Sequence, residues 1–255
     1  LVMAGGRGQR FWPLSTEARP KQFLDLERSG RTLLQATVDR VIPLVGGIER
    51  VLIATGERYV GLVREQLPGL PEANLVIEPV GRDSGPAIAL AALEIERRFG
   101  NVVMCVFASD HRVEDVVTFQ GVLETAMDLA AREGGLVTIG ITPDRPATAY
   151  GYLERGRAVQ GGFRLARFVE KPTRQRAEQF LDEGAYLWNA GMFVWTVEAI
   201  LSALDAYAPD IVRPLRTAVK DGTVSDVFGS LPKISIDYAV MEHAPHAFVV
   251  EGDFG

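Results

Sequence analysis

Leu1-Val2-Met3-Ala4-Gly5-Gly6-Arg7-Gly8-Gln9-Arg10 opens the chain, and Phe11-Trp12-Pro13-Leu14-Ser15 follows it. Four further residues lead to Pro20-Lys21-Gln22-Phe23. The apolar run at 1–4 reads as a strand, and it delivers the backbone into a glycine-rich turn. Gly5, Gly6 and Gly8 let that turn close tightly and present bare N–H groups. Arg7, Arg10, Arg19 and Lys21 surround those groups with positive charge, which makes a seat for a polyphosphate. Glycines alone are equally compatible with a plain structural turn. Arg10 and Lys21, the latter approached through Pro20, are what a plain turn leaves unexplained. The loop is not a dinucleotide fingerprint, because Phe11 stands where the third glycine belongs and Pro13 prevents a clean helix start. It also lacks the Gly-Lys-Ser/Thr ending of a P-loop.

Strand and helix signals alternate outward from this loop. Apolar or β-branched runs at 1–4, 51–54, 75–78, 102–108 and 136–141 predict strands, and 32–44, 58–67, 85–99 and 115–133 carry helical periodicity. That order predicts an α/β fold with a mostly parallel sheet flanked by helices. Ligands of such sheets bind beyond the carboxyl ends of the strands. Three unusual loops converge there: the glycine loop, Glu78-Pro79 and Ser109-Asp110-His111. After Pro146 the pattern predicts strands at 150–155 and 164–170 and a helix at 173–183. A turn at 188–193 then enters another strand, and helices follow near 197–207, 211–221 and 236–242. This half is expected to complete the sheet and to add a helical lobe over the pocket.

The 255 residues suffice for a single domain, here read as 1–142 for the nucleotide half and 143–255 for the second half. A formal charge of −6 argues against nucleic acid as a partner. The lone Cys105, in the apolar run 101–108, excludes an internal disulfide and suits a reducing cytoplasm. No run suits a membrane span; the best, at 85–93, is rich in small residues. The chain opens within a strand run and stops abruptly after Gly255, so it is expected to be truncated at its C-terminus.

These motifs identify the chain as resembling the sugar-phosphate nucleotidyltransferases, specifically those that act on mannose 1-phosphate with GTP. The resemblance rests on the opening loop, Glu78 to Ala87, Ala108-Ser109-Asp110-His111, Tyr150-Gly151-Tyr152, Phe168 to Pro172, Trp188 to Phe193 and Ser235-Ile236-Asp237-Tyr238. Seven segments in order cover nearly the whole chain. The family implies a Rossmann-like mixed sheet of the nucleotide-diphospho-sugar transferase type, with Mg²⁺ at the strand ends. It implies nucleotide contacts from Ala4, Gly5, Gly6, Gly8, Gln9, Arg10 and Lys21, with Arg7 and Arg19 as rim charges. Glu78 is the expected guanine reader, since an ionised carboxylate can accept from both the N1–H and the 2-amino group. Gly81 and Arg82 would lie nearby. Asp110, at a strand end, is the expected metal ligand, because Mg²⁺ prefers carboxylate and phosphate oxygens. His111 is expected to be structural.

For the sugar phosphate, the resemblance implies Gly151, Glu170, Lys171 and Asn189. Neighbouring side chains on a strand face opposite ways, so Glu170 and Lys171 are not expected to neutralise each other. Trp188, Phe193 and Trp195 read as core. The chain departs from the family at Asp83-Ser84-Gly85, usually Asn-Thr-Ala, and at Ala147-Thr148-Ala149, usually Glu-Thr-Gly. A second metal aspartate belongs to a Trp-x-Asp-x-Gly motif that the chain does not contain, and Asp253 does not match it. The implied reaction forms GDP-mannose and pyrophosphate, with a homodimer as a candidate assembly. The alternatives are another base or sugar, or a silent regulatory homologue that binds sugar nucleotides.

Overall fold

The structure, a computed structural model, describes residues 1–6 and 13–255. The first half winds as expected. Strands β1 (Val2–Met3), β2 (Ile53–Gly56), β3 (Leu75–Glu78) and β4 (Val103–Ala108) are parallel, in the order β3-β2-β1-β4. Helices α1 (Leu33–Val45), α2 (Val60–Gln66), α3 (Ser84–Phe99) and α4 (Val116–Glu133) connect or follow them. Local chemistry sets the helix ends. Thr32 and Gln35 form a reciprocal capping box at the start of α1, and Gly46 ends it in the left-handed conformation.

The second half turns the parallel sheet into a mixed one. Strand β8 (Tyr186–Thr196) runs antiparallel between β4 and β5 (Leu136–Ile141), and β9 (Ala247–Gly252) pairs parallel with β5. The hairpin β6 (Tyr152–Val159) and β7 (Gly162–Val169) joins β9 on one side. On the other, β6 pairs with the start of β8. The pairings β8-β5-β9-β7-β6-β8 therefore form a closed circuit, which folds the end of the sheet over.

One apolar core lies under α3, α6 (Val197–Tyr207) and α7 (Pro209–Asp221); the other lies under α1 and α4. Both draw on strands from the two halves. The small-residue run at 85–93 is the buried body of α3, and among the described residues no helix is long and apolar enough to cross a membrane.

Three expectations need correction. Residues 188–193 are not a turn but the middle of β8, where the chain stays extended. Gly191, at φ 66°, absorbs a register shift opposite Thr138 and Gly140. Strand β9 and the short helix α8 (Val224–Phe228) went unpredicted. The helical lobe covers α3 rather than the pocket, because the apolar faces of α6 and α7 bury Ile200, Leu204, Ile211 and Leu215 against it. Among the described residues, only Lys233, beyond α8, reaches the pocket lining from this lobe. The other helix of the second half, α5 (Arg174–Glu183), packs Phe180 against Tyr186 of β8.

Candidate active site

The carboxyl ends of β1, β3 and β4 share a cavity of about 890 Å³, lined by Gly5, Gly6, Lys21, Glu78, Gly81 and Asp110 among others. Six of the residues expected to bind nucleotide thus lie on one surface. Ala4 is fully buried behind it. Arg82 is not on the lining, and its Nε is buried without a partner among the described residues. Arg7, Gly8, Gln9 and Arg10 lie outside the described residues.

Gln22 builds the entry of the first loop. Its buried amide donates to the carbonyls of Ala4 at 3.0 Å and Gly6 at 2.9 Å. The Thr55 hydroxyl also donates to Ala4, at 3.2 Å. Sequence reasoning gave Gln22 no role, although its place beside Lys21 was the available signal. Gly5 lets Glu78 come close: a Cβ there would lie within 2.7 Å of Glu78 Oε1 and push that carboxyl aside.

Glu78 is the last residue of β3, and its carboxyl is buried against that glycine. Burial, reinforced by the nearby Asp83 carboxylate, pushes its pKa up to about 7. No group among the described residues donates a hydrogen bond to it. Asp83 adopts φ 69° and accepts from the Ser84 N–H at 2.9 Å, capping α3 beside the cavity. On the opposite wall, the Lys21 ammonium and Asp110 carboxylate form a close ion pair, each side chain about a quarter exposed. Behind Asp110, the buried Arg40 donates to the His111 carbonyl at 2.8 Å and holds that loop from below. Burial lowers the His111 pKa.

Gly151, Glu170, Lys171 and Asn189 gather in a second cluster, off the lining of the first cavity. A Cβ at Gly151 would meet Glu170 Oε2 at 2.6 Å and Asn189 Cβ at 3.3 Å, so this glycine brings the two together. His111, the residue after Asp110, comes near the second cluster: its ring lies 3.8 Å from where a Gly191 Cβ would stand.

Glu170 and Lys171 do pair with each other, at 2.5 Å, against expectation. The strand ends at Val169, and Lys171 takes φ 43°, so strict alternation no longer applies. The hydrogen bond to Glu170 raises the Lys171 pKa, and the ammonium stays largely exposed. Asp237 completes the cluster: its Oδ1 accepts from Asn189 Nδ2 at 3.0 Å. Burial and the Glu170 carboxylate push its pKa up to about 6. In the sequence Asp237 stands only within the Ser235–Tyr238 motif, with no local signal of a role.

Residues 1–229 match the family model described as nucleotidyl transferase. The chain belongs to the nucleotidyl transferase family. It is 41% identical to a mannose-1-phosphate guanylyltransferase of Klebsiella pneumoniae, over 98% of this chain and 55% of that protein. The corresponding Escherichia coli protein is 40% identical over the same shares. The chain thus spans about half the length of the curated relatives it matches. Among solved structures, one described as a mannose-1-phosphate geranyltransferase from Thermus thermophilus superposes with a TM-score of 0.92 at 38% identity, covering 100% of this chain and 73% of that one. One described as a mannose-6-phosphate isomerase from Helicobacter pylori gives 0.81 at 26%, covering 99% and 96%. The nucleotidyl transferase fold accounts for the mixed sheet and its flanking helices.

Proposed function

We propose that this nucleotidyl transferase joins GTP to mannose 1-phosphate, releasing pyrophosphate and forming GDP-mannose. The observation that carries the reading is Glu78, a buried carboxyl with no donor among the described residues, facing a cavity whose far wall holds Lys21 and Asp110. Guanine offers two adjacent donors to such a group. The relatives named for mannose 1-phosphate support the sugar assignment.

In this mechanism the sugar-phosphate oxygen attacks the α-phosphorus in line and pyrophosphate departs, so no side-chain nucleophile is needed. Two anions must be brought together, which makes positioning the main task; near-attack geometry supplies on the order of 7–11 kcal/mol. Lys21 leaves Asp110 for the phosphates and neutralises charge as it develops. Arg10 would assist from the first loop. Lys171 leaves Glu170 to hold the sugar phosphate, and Glu170 then accepts from sugar hydroxyls.

Asp110 fits a magnesium ion: it offers one carboxylate at a polar rim, and such ions take few protein ligands beside phosphate oxygens and water. When bound, that ion supplies Lewis-acid charge stabilisation at the phosphates. Among the described residues no group of three acidic, His or Cys side chains forms an all-protein cage, which agrees with a site shared with the nucleotide. A homodimer and a cytoplasmic setting belong to the same proposal.

Pyrophosphate release from GTP, Mg²⁺ and mannose 1-phosphate tests the reading, run beside ATP, UTP and dTTP and beside glucose 1-phosphate. Preference for GTP and mannose 1-phosphate is expected. Faster turnover with another base or sugar overturns that part of the assignment, and ligand binding without turnover selects the silent homologue.

A further inference from the structure

Asn189 lies where the β6 pairing of β8 ends and the β5 pairing continues. Trp188 pairs with both Tyr152 of β6 and Ile141 of β5, and Asn189 pairs with Gly140 of β5 while its N–H donates to the Gly151 carbonyl at 2.8 Å. Its side chain is almost fully committed within the protein. Oδ1 accepts from the Thr138 hydroxyl at 2.9 Å and from the Gly191 N–H at 3.1 Å. A backbone N–H can only donate, so this end of the amide must be the oxygen; the single Thr138 proton is shared between it and the Met192 carbonyl at 3.2 Å. The nitrogen therefore faces the other way, where one of its protons goes to Asp237 Oδ1 at 3.0 Å. A single amide N–H remains as the donor that Asn189 can offer a ligand.

Asp237 is placed for this by an unusual turn. It opens a π-helical segment, Asp237–Met241, whose Ala239, Val240 and Met241 are buried in the main core. Such turns are rare and recur at functional sites. The residues just before it are tied to the nucleotide side: the Ile234 carbonyl accepts from Gly85 N–H at 3.0 Å, and Ile236 N–H donates to Ser84 Oγ at 2.9 Å. A Cβ at Gly85 would come within 2.8 Å of that carbonyl, so the contact is close enough to fix the segment. Asp237 is thus held by α3 and by the core, and its carboxylate reaches Asn189 from a direction that Asn189 itself cannot control.

We propose that Asp237 is the positioning residue of the sugar subsite: it fixes the Asn189 amide so that one N–H is presented to a sugar hydroxyl. This deepens the proposed function and rests on its placement of the sugar near Asn189. Glu170, beside Gly151 and Asn189, then supplies the acceptor. Donor and acceptor side by side match the adjacent hydroxyls of a hexose, each of which both gives and takes a hydrogen bond.

Two variants and two measurements test this. Asp237→Ala removes the acceptor; Asp237→Asn keeps an oxygen for the Asn189 N–H and removes the charge. In the nuclear magnetic resonance spectrum of the protein without ligands, the Asn189 side-chain NH₂ pair should show one proton slow to exchange. That protection should vanish in Asp237→Ala and persist in Asp237→Asn. This readout needs no turnover, so it stands apart from the activity proposed above. In steady-state kinetics, Asp237→Ala should raise KM for mannose 1-phosphate about tenfold or more while KM for GTP stays within twofold, the scale expected for a hydrogen bond to a charged group. Asp237→Asn should restore KM to within about threefold of wild type. An equal rise in both KM values, or an unchanged Asn189 signature in Asp237→Ala, overturns the proposal. Should the alanine variant not fold, Asp237→Asn still decides: loss of protection, or a tenfold KM rise, shows that charge rather than positioning matters.

Discussion

The cavity at the strand ends and the cluster around Asn189 store their polarity differently. In the nucleotide cavity, Glu78 has no hydrogen-bond donor among the described residues, and one ion pair, Lys21–Asp110, spans the opposite wall. In the cluster around Asn189 the groups are already matched: Glu170 with Lys171, and Asn189 with Thr138, Gly191 and Asp237. On the proposed function, the first region gains new bonds at Glu78 when a ligand arrives and gives up only the Lys21–Asp110 pair. The second must exchange internal bonds for those of the ligand, so its net gain per contact is smaller. Parallel strands ending at a common rim create the first kind of site. The closed circuit of β8, β5, β9, β7 and β6, which packs side chains from several strands together, creates the second.

The largest effect should come from the ion pair. Lys21→Ala and Asp110→Ala should each lower kcat by about 10²–10³, the scale seen when one charge-stabilising group is removed from a transition state. Circular dichroism melts should stay near wild type, because both side chains sit at the rim and surface-type pairs add little stability. Turnover within threefold of wild type in either variant, with the fold intact, removes that residue from the mechanism.

Glu78 gives the next effect, and it carries opposite signs for binding and stability. Its folded pKa of about 7 lies above the ordinary carboxyl value, so the native state binds the extra proton between roughly pH 4.5 and 7. Stability from this group is therefore full below that window and lost as pH rises through it, by up to about 3 kcal/mol. On the proposed function GTP needs the ionised form, so its affinity should rise over the same window, by as much as tenfold per unit. Glu78→Gln should flatten both profiles and cut the preference for GTP over ATP by about 10–100-fold, the worth of hydrogen bonds to a charge. Parallel pH profiles in wild type and variant, by calorimetry and by denaturant titration, break the assignment.

The sequence carried the first region more fully than the second. Parallel strands buried on both faces write themselves as short apolar runs, and residues at their ends must then share a rim. That logic reached Gly5, Lys21, Glu78 and Asp110 together. It missed Gln22, because a buried amide that satisfies two carbonyls leaves no pattern of its own. In the second region the route to Asn189 passes through an antiparallel strand with a glycine bulge, and nothing local distinguishes that from a turn. Asp237 lies 48 residues from Asn189 and depends on a π-helical turn, so its contact is set by tertiary packing alone. The Glu170–Lys171 pair was misread for a related reason. Alternation is a rule for strands, and these two residues stand just past the end of one.

Lys171 supplies the smallest effect and the sharpest contrast between the regions. Its ammonium is about half exposed while its partner Glu170 is nearly buried, so the pair costs little to break from the lysine side and more from the glutamate side. Lys171→Met should change stability by less than about 1 kcal/mol, as for an exposed ion pair. It removes the cation proposed for the sugar phosphate, however, and leaves the Glu170 carboxylate without its counter-charge beside Asp237. KM for mannose 1-phosphate should therefore rise about tenfold while KM for GTP does not move, and added salt should narrow the difference from wild type because the lost attraction is screened. A rise of equal size in both KM values would mean that the two clusters act as one site and that their separation has no functional meaning. A salt-independent rise would mean that Lys171 works by shaping the turn at φ 43° rather than by charge. Lys171→Arg distinguishes these outcomes, since it keeps the charge and the turn but changes the geometry of the donor.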